Sequence, residues 1–89
     1  MRSLTSTQFW KFYAALPGDV QRRANRAYIL WRTNPQAQGL YFKRVGTRVT
    51  GYSVCIGQNY RAVGILQDDA ILWFWIGPHD EYKRILRGL

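Results

Sequence analysis

The sequence predicts an α+β fold in which a helical hairpin packs on one face of an antiparallel sheet of four to five strands. As far as Trp31, apolar residues recur every three or four positions, which is the spacing of one helix face. From Leu40 onwards, short apolar runs are separated by turn residues, a pattern typical of strands and hairpins. The expected order is β-α-α-β-β-β-β. The 89 residues are the length of one domain, so we expect a single domain over residues 1–89.

The first half of the chain predicts one short strand and two helices. Residues Arg2 to Thr5 can form the strand, and Thr5 with Gln8 three positions on is the pattern of a capping box. The segment LPGD, residues 16–19, ends this helix and begins a second, with Asp19 placed favourably in its first turn. The segment TNPQAQG, residues 33–39, ends the second helix. The apolar faces of the two helices comprise Phe9, Phe12, Tyr13 and Leu16, and Val20, Ala24, Ala27, Tyr28 and Trp31.

The second half predicts four strands in an antiparallel meander. The strands LYFKRV, VTGYSVCI, YRAVGIL and AILWFWI are separated by the tight-turn signals GT, GQN and QDD. The last strand is apolar on both faces, so we expect it in the interior of the sheet or under cover. The segment HDEYKRILRGL, residues 79–89, predicts a short C-terminal helix or tail. With the helical hairpin on one face, the other face of the sheet is left to face something else.

The formal net charge of +8 is concentrated in the first half of the chain. Residues 1–45 carry eight Lys and Arg against a single acid, whereas residues 46–89 carry five against four acids. A basic surface on so small a domain favours a polyanion or an acidic protein as partner.

Cys55 and His79 are the only residues of their types. They are too few to build a zinc site, so we expect neither a metal nor another cofactor. No export signal or apolar run of bilayer length is found, which predicts a cytoplasmic protein without a membrane partner.

Basic side chains interrupt two of the predicted strands, and the only histidine follows the last strand. If these strands are neighbours, Lys43, Arg44, Arg61 and His79 can converge on one face of the sheet. Such a set suits metal-free cleavage of RNA, in which the 2′-hydroxyl is the nucleophile. Arg and Lys would then neutralise the phosphate, and His would carry a proton near neutral pH. With a single His, the second proton carrier would be Tyr82, Asp80, Glu81 or a lysine.

Each of these residues also has a purely structural interpretation. His79 follows Gly77-Pro78 and can be a turn residue. Asp80-Glu81 can serve only to begin a helix, where acids interact favourably with the helix dipole. Trp73 and Trp75 are expected in the core rather than as platforms for nucleic-acid bases. The remaining candidates for ordinary solvated positions are Asp68 and Asp69 in a turn, and Arg22, Arg23 and Arg26 on the second helix.

Four segments together resemble the small toxins of the RelE/ParE superfamily, the toxin half of bacterial type II toxin–antitoxin pairs. They are FWKFYAALPGDVQRRANRAY, NPQAQGLYFKRV, YSVCIGQNYRAVG and WFWIGPHDEYKRIL, and the likeness runs over nearly the whole length. The resemblance implies the RelE-like fold and either of two activities. Members similar to RelE, YoeB and HigB cut mRNA, usually in the ribosomal A site, whereas members similar to ParE inhibit DNA gyrase and cleave nothing.

The resemblance also implies which residues carry the activity. By position, Lys43 and Arg44 match basic sites of a middle strand, Arg61 matches the arginine of a strand start, and His79 and Tyr82 match the C-terminal pair of the ribonucleases. The expected catalytic residues are therefore His79, Arg61, Tyr82 and Lys43. The expected RNA- and phosphate-binding residues are Lys43, Arg44, Arg48 and Arg61.

The leading hypothesis from the sequence is a metal-independent mRNA endoribonuclease that acts with the ribosome and inhibits translation. Its expected partners are an acidic cognate antitoxin, mRNA on the ribosome, and operator DNA only through the antitoxin complex. The alternatives are a non-enzymatic gyrase inhibitor on the same fold and a catalytically weak nucleic-acid-binding co-repressor.

Overall fold

The computed structural model describes residues 2–89 as three helices and a five-stranded sheet. In chain order the elements are β1 (Arg2–Thr5), α1 (Thr7–Ala14), α2 (Gly18–Thr33), β2 (Lys43–Val45), β3 (Gly51–Ile56), β4 (Tyr60–Gln67), β5 (Ala70–Pro78) and α3 (His79–Arg87). The predicted order is confirmed, and the segment after the last strand is a helix. Of the helices within residues 2–89, none combines the length and the apolar character needed to cross a membrane.

The strand order across the sheet is β1-β5-β4-β3-β2. Strands β2 to β5 form the predicted antiparallel meander. Strand β5 lies between β1 and β4, which is the interior position that its apolar sequence predicts. Strand β1, however, pairs with β5 in parallel, with Arg2 opposite Ala70, so the sheet is mixed rather than purely antiparallel. Side-chain alternation along a strand does not record the direction of the neighbouring strand, which is why the sequence did not predict this pairing.

The two faces of the sheet are covered by different helices. On the first, which we call the hairpin face, α1 and α2 bury Val54, Ile71 and Trp73 together with Trp31 of α2. On the second, which we call the α3 face, Val63 and Trp75 pack against Tyr82 of α3. The expectation that this second face lacks cover from the chain itself is therefore wrong in part, because the C-terminal helix folds back across it.

A bulge in β5 places its two tryptophans on opposite faces. Val63 pairs with Trp75 and Gly64 pairs with Trp73, so one residue of β5 is extra at this point. In a regular strand, residues two apart share a face, and the extra residue breaks that rule. Gly64 is needed here because a Cβ atom would lie 2.6 Å from Ile71 Cγ2 and 2.9 Å from the Leu72 carbonyl oxygen. Both tryptophans are buried, as predicted.

The first helix is capped one residue later than the sequence predicts. Ser6 is the N-cap of α1, and its hydroxyl accepts a hydrogen bond from the Phe9 N–H at 3.1 Å. Thr5 is instead the last residue of β1, opposite Trp73, and its hydroxyl accepts from the Trp10 indole N–H at 3.0 Å. The proposed Thr5–Gln8 capping box is wrong because pairing with β5 keeps the chain extended through Thr5.

Strand β2 is shorter than the predicted strand LYFKRV. Its pairing begins only at Lys43, which lies opposite Ser53. Counting back from this pair, Tyr41 would stand opposite Cys55 in an uninterrupted ladder. The Cys55 N–H donates instead to the Leu40 carbonyl at 2.7 Å, and Tyr41 has a φ of 47°. Tyr41 is therefore an extra residue that bulges out of the ladder.

Helix α3 is attached to the sheet at both ends. At its start, the His79 N–H donates to the Asn59 carbonyl in the β3–β4 turn at 2.7 Å. Beyond its end, the Leu89 carbonyl oxygen accepts from three successive N–H groups of the β2–β3 loop, those of Thr47, Arg48 and Val49. The helix thus crosses the α3 face from one end of β3 to the other.

Candidate functional site

Strand register places Lys43 and Arg61 on the α3 face. Lys43 lies directly opposite Ser53, and Arg61 lies directly opposite Cys55. Ser53 and Cys55 are two residues apart on one strand, so all four side chains share a face. The Ser53 hydroxyl accepts a hydrogen bond from Tyr82 of α3, which identifies this face as the one that α3 covers.

The Arg61 guanidinium is held at the β3–β4 turn. Its Nη1 donates to the carbonyls of Gln58 at 3.2 Å and Tyr60 at 2.8 Å, and the side chain is half-buried. Among residues 2–89, the ion pairs join Arg2 to Asp69, Arg23 to Asp19, and Arg84 to Glu81, and none includes Arg61 or Lys43. Two cations on strands, without a carboxylate to neutralise them, are suited to bind a phosphate.

His79 lies at the same end of the sheet as Arg61. It is the first residue of α3, its side chain is exposed, and its N–H is bonded to the turn that also holds Arg61. Gly77, two residues before it, is the cross-strand partner of Arg61. A Cβ atom at Gly77 would lie 2.6 Å from the Trp75 ring, so this close approach of strand and ring requires glycine. The histidine is therefore the first residue of a helix directly joined to a buried strand.

Tyr82 lies one helical turn beyond His79 and faces inward. Its hydroxyl donates to Ser53 Oγ at 2.8 Å, and the exposed fractions of the two residues are 6% and 2%. The Tyr82 and His79 ring centroids are 5.8 Å apart, with the planes tilted by 30°. The phenol ring is thus positioned to support the imidazole. Ser53 did not emerge from the sequence, although a polar residue in an otherwise apolar strand is the available signal.

Lys43, Arg61 and His79 form what we call the cationic cluster. Arg44 and Arg48 do not join it. Arg44 lies opposite Tyr52, which stacks on Phe42 at a centroid distance of 5.0 Å and packs against the core of the hairpin face. Arg48 lies in the β2–β3 loop, at the opposite end of the sheet from the β3–β4 turn. The expected convergence of four residues is therefore wrong for Arg44, because neighbouring residues of a strand point to opposite faces. Binding of RNA by Arg44 and Arg48 stays a prediction.

The other residues considered in the sequence have structural positions. Asp80 and Glu81 lie in the first turn of α3, and Glu81 pairs with Arg84 at 3.0 Å. Asp68 and Asp69 form the β4–β5 turn, and Arg22, Arg23 and Arg26 are exposed on α2. Within residues 2–89 there is no group of three or more His, Cys, Asp or Glu side chains arranged to hold a metal ion.

A separate apolar cavity of about 410 Å³ lies on the hairpin face, between α1, α2 and β1. Trp31 and Trp73 line it, and their indole N–H groups have no hydrogen-bond partner among the described residues. The lining includes none of the predicted site residues. The cationic cluster and this cavity are therefore on opposite faces of the sheet.

Comparison with known families places the chain among toxin domains. The model of the ParE-like toxin domain matches residues 18–84, from the start of α2 into α3. The match covers most of the chain, including β3 to β5 and the His79–Tyr82 segment. The chain therefore belongs to the ParE-like toxin domain family, within the RelE/ParE superfamily. No curated protein sequence matches the chain.

Solved structures of the same superfamily share the fold. The RelE protein in the antitoxin–toxin complex of Methanococcus jannaschii superposes with a TM-score of 0.72 at 17% identity, covering 92% of this chain and 96% of that one. RelE in the complex of Pyrococcus horikoshii gives 0.67 at 18%, covering 86% and 92%. A YoeB/ParE toxin from Agrobacterium tumefaciens gives 0.68 at 13%, covering 89% and 99%. At such low identity the likeness establishes the RelE-like fold alone.

Proposed function

We propose that this toxin domain is a metal-independent endoribonuclease that cuts mRNA and thereby inhibits translation. The observation that carries the proposal is the placement of Lys43 and Arg61 on the α3 face, with His79 at the rim beside Arg61. Two cations without carboxylate partners can stabilise the charged phosphate, and an imidazole can carry a proton, in the cleavage of RNA by its own 2′-hydroxyl.

In the proposed reaction, the 2′-oxygen attacks the adjacent phosphorus and the bond from phosphorus to the 5′-oxygen breaks. A base removes the 2′-hydroxyl proton, an acid protonates the departing 5′-oxygen, and the product ends in a 2′,3′-cyclic phosphate. Arg61 and Lys43 bind the phosphate oxygens and stabilise the charge that grows on them in the transition state. His79 carries one of the two protons, and solvent water exchanges the other.

Tyr82 is assigned a supporting role in this proposal. Its hydroxyl already donates to Ser53 in a buried position, and its ring faces the imidazole of His79. A group that is buried and bonded elsewhere is poorly placed to exchange a proton with RNA. The ring instead orients His79.

We further propose that an acidic antitoxin protein neutralises this toxin. The relatives from M. jannaschii and P. horikoshii were both solved as complexes of RelE with RelB. The net charge of +8 favours an acidic partner. The proposal also includes action on ribosome-bound mRNA, contact with operator DNA only through the antitoxin complex, and a cytoplasmic location.

The proposal is tested by controlled expression of the toxin and mapping of new 5′ ends in the transcripts. Wild type should cut mRNA, and His79→Ala should lower the cleavage rate by on the order of 100-fold or more, the usual effect of removing a proton-transfer group. Lys43→Gln and Arg61→Gln should each lower it by a similar order, because each removes charge stabilisation in the transition state.

Arg44→Gln and Arg48→Gln are the matched controls, since they remove the same charge outside the cluster. They should weaken RNA binding at most and leave the rate at saturating RNA close to that of wild type. Growth arrest by wild type with all transcripts intact would rule out the ribonuclease.

A second candidate, a non-enzymatic inhibitor of DNA gyrase, is favoured by the family description, which names the ParE-like toxins. It predicts that purified protein blocks gyrase supercoiling of plasmid DNA, and that His79→Ala remains toxic. The supercoiling assay and the transcript map therefore give opposite results for the two candidates.

A further inference from the structure

Tyr41 combines two features that folding alone does not explain. Its side chain is 72% exposed, the largest exposure among the large apolar residues left at the surface. Its φ of 47° lies in the left-handed region, which bulky side chains rarely adopt. Among residues 2–89, its ring has no aromatic partner and its hydroxyl has no hydrogen bond to another side chain. A strained conformation that holds an aromatic ring in solvent indicates a role outside the fold.

The bulge fixes Tyr41 beside the cationic cluster. The Leu40 carbonyl accepts from the Cys55 N–H, so the bulge lies across from Cys55 on one side of β3. On the other side of β3, Cys55 faces Arg61. Tyr41 is therefore level with Arg61, at a distance of two strand spacings, or roughly 10 Å. Lys43, two residues along the chain from Tyr41, is the first paired residue of β2.

The neighbouring segments hold this position firmly. Phe42, the next residue, stacks on Tyr52 at 5.0 Å and meets Trp31 edge-on at 5.7 Å. Leu40, the preceding residue, is buried in the core of the hairpin face. Tyr41 is thus an exposed ring between two anchored residues. Binding to such a ring requires little ordering of the backbone.

We propose that Tyr41 stacks on an unpaired base of single-stranded RNA whose phosphates are bound by Lys43 and Arg61. An exposed aromatic ring beside cations on the same sheet is an arrangement by which proteins hold single strands, because every base has a face on which a ring can stack. The inference rests on the proposed function for the identity of the nucleic acid. It adds a site for a base next to the site for the cleaved phosphate.

The test measures binding rather than cleavage. A fluorescent octanucleotide of 2′-O-methyl RNA, which lacks the nucleophilic hydroxyl and is not cut, is titrated with wild type, Tyr41→Ala and Tyr41→Trp at fixed salt. A second oligonucleotide has the same backbone with abasic positions. Ile29→Ala is the control, since Ile29 is also highly exposed but lies on the outer side of α2.

Tyr41→Ala should weaken binding of the base-bearing oligonucleotide on the order of tenfold and leave binding of the abasic one unchanged. Tyr41→Trp and Ile29→Ala should both bind like wild type. Tyr41→Asn provides a check on folding, because asparagine tolerates the left-handed region. It should unfold at a urea concentration at least as high as that of wild type, and still lose the base-dependent affinity.

Equal binding of the base-bearing RNA by wild type and Tyr41→Ala would overturn the inference. So would an equal loss for both oligonucleotides, or a change in self-association by sedimentation with RNA affinity unchanged, which would make Tyr41 a protein contact. If Tyr41 controls binding but wild type cuts no transcript, the stacking site stands and the ribonuclease proposal fails. If wild type cuts RNA and Tyr41→Ala binds normally, the ribonuclease proposal stands and the stacking inference fails.

Discussion

At the scale of single residues, the hydrogen bond between Tyr82 and Ser53 determines what Tyr82 can do. Both hydroxyl groups are buried, and each is the only side-chain partner of the other among the described residues. Sequence spacing predicted that Tyr82 lies one turn from His79, but not that its hydroxyl points into the sheet. That direction depends on Ser53, which lies 29 positions earlier in the chain.

Loss of either hydroxyl should destabilise the fold, because the remaining one is left buried without a partner. Tyr82→Phe and Ser53→Ala should each lower the free energy of unfolding by about 1–3 kcal/mol. The double variant should cost less than the two together, since it leaves neither group unpaired. Urea denaturation of the four proteins measures this coupling, and strictly additive values would contradict the hydrogen bond.

Two variants of Tyr82 distinguish a supporting role of its ring from proton transfer by its hydroxyl. If Tyr82 orients His79 through its ring, Tyr82→Phe retains most of the cleavage activity and Tyr82→Leu loses it. If the phenol carries a proton, both variants lose activity, and the pH dependence of the Tyr82→Phe rate lacks one limb of the wild-type profile.

At the scale of elements, the contact of β1 with β5 decides where α1 begins. The pairing of Thr5 with Trp73 keeps the chain extended for one residue longer than the local pattern indicates. Ser6 then becomes the cap, and Gln8 has no capping role. The local signals of Thr5 and Ser6 were similar, and a neighbouring strand that is distant in sequence selected between them.

Ser6→Ala should therefore lower the free energy of unfolding by about 1 kcal/mol, the usual cost of removing an N-cap side chain. Gln8→Ala is the matched control and should have little effect, because Gln8 is exposed and its side chain bonds to no backbone N–H at the helix start. Thermal or urea unfolding gives both values. A larger loss for Gln8→Ala than for Ser6→Ala would restore the capping box at Thr5.

At the scale of the whole molecule, the net charge of +8 favours polyanions in general, whereas under the proposed function the cluster on the α3 face selects where RNA binds. Most of the other cations lie elsewhere, with Arg22, Arg23 and Arg26 exposed on α2 and Arg44 opposite Tyr52. The overall charge should therefore govern encounter, and the cluster should govern the specific contacts.

The salt dependence of RNA binding should distinguish these two contributions. Removing one phosphate contact on a single strand reduces the slope of log affinity against log salt by about 0.7. Lys43→Gln and Arg61→Gln should each show this reduction. Arg22→Gln carries the same change in net charge on α2 and should leave the slope nearly unchanged. Equal slopes for all three variants would show that RNA binds to the charge as a whole rather than to the α3 face.

The sequence by itself determined the elements of this protein. Helical periodicity, turn residues and the aromatic runs were enough to predict the hairpin and the meander from β2 to β5. They also placed β5 in the interior of the sheet or under cover, and predicted a helix or tail from His79. These features depend on neighbours within a few positions, which is the distance over which sequence patterns are informative. The resemblance to RelE/ParE toxins rests on the order of such segments along the chain, and the match to the ParE-like toxin domain confirms it.

Only the tertiary structure decided which side chains meet. Lys43 and Arg44 point to opposite faces because they are adjacent on a strand, but only register shows that Lys43 is the one on the α3 face. The parallel direction of β1, the Tyr82–Ser53 bond and the bulge at Tyr41 likewise depend on pairings between distant segments. In a sheet, a shift of one residue moves a side chain to the other face. The candidate site is therefore set by strand register, which local sequence patterns do not contain.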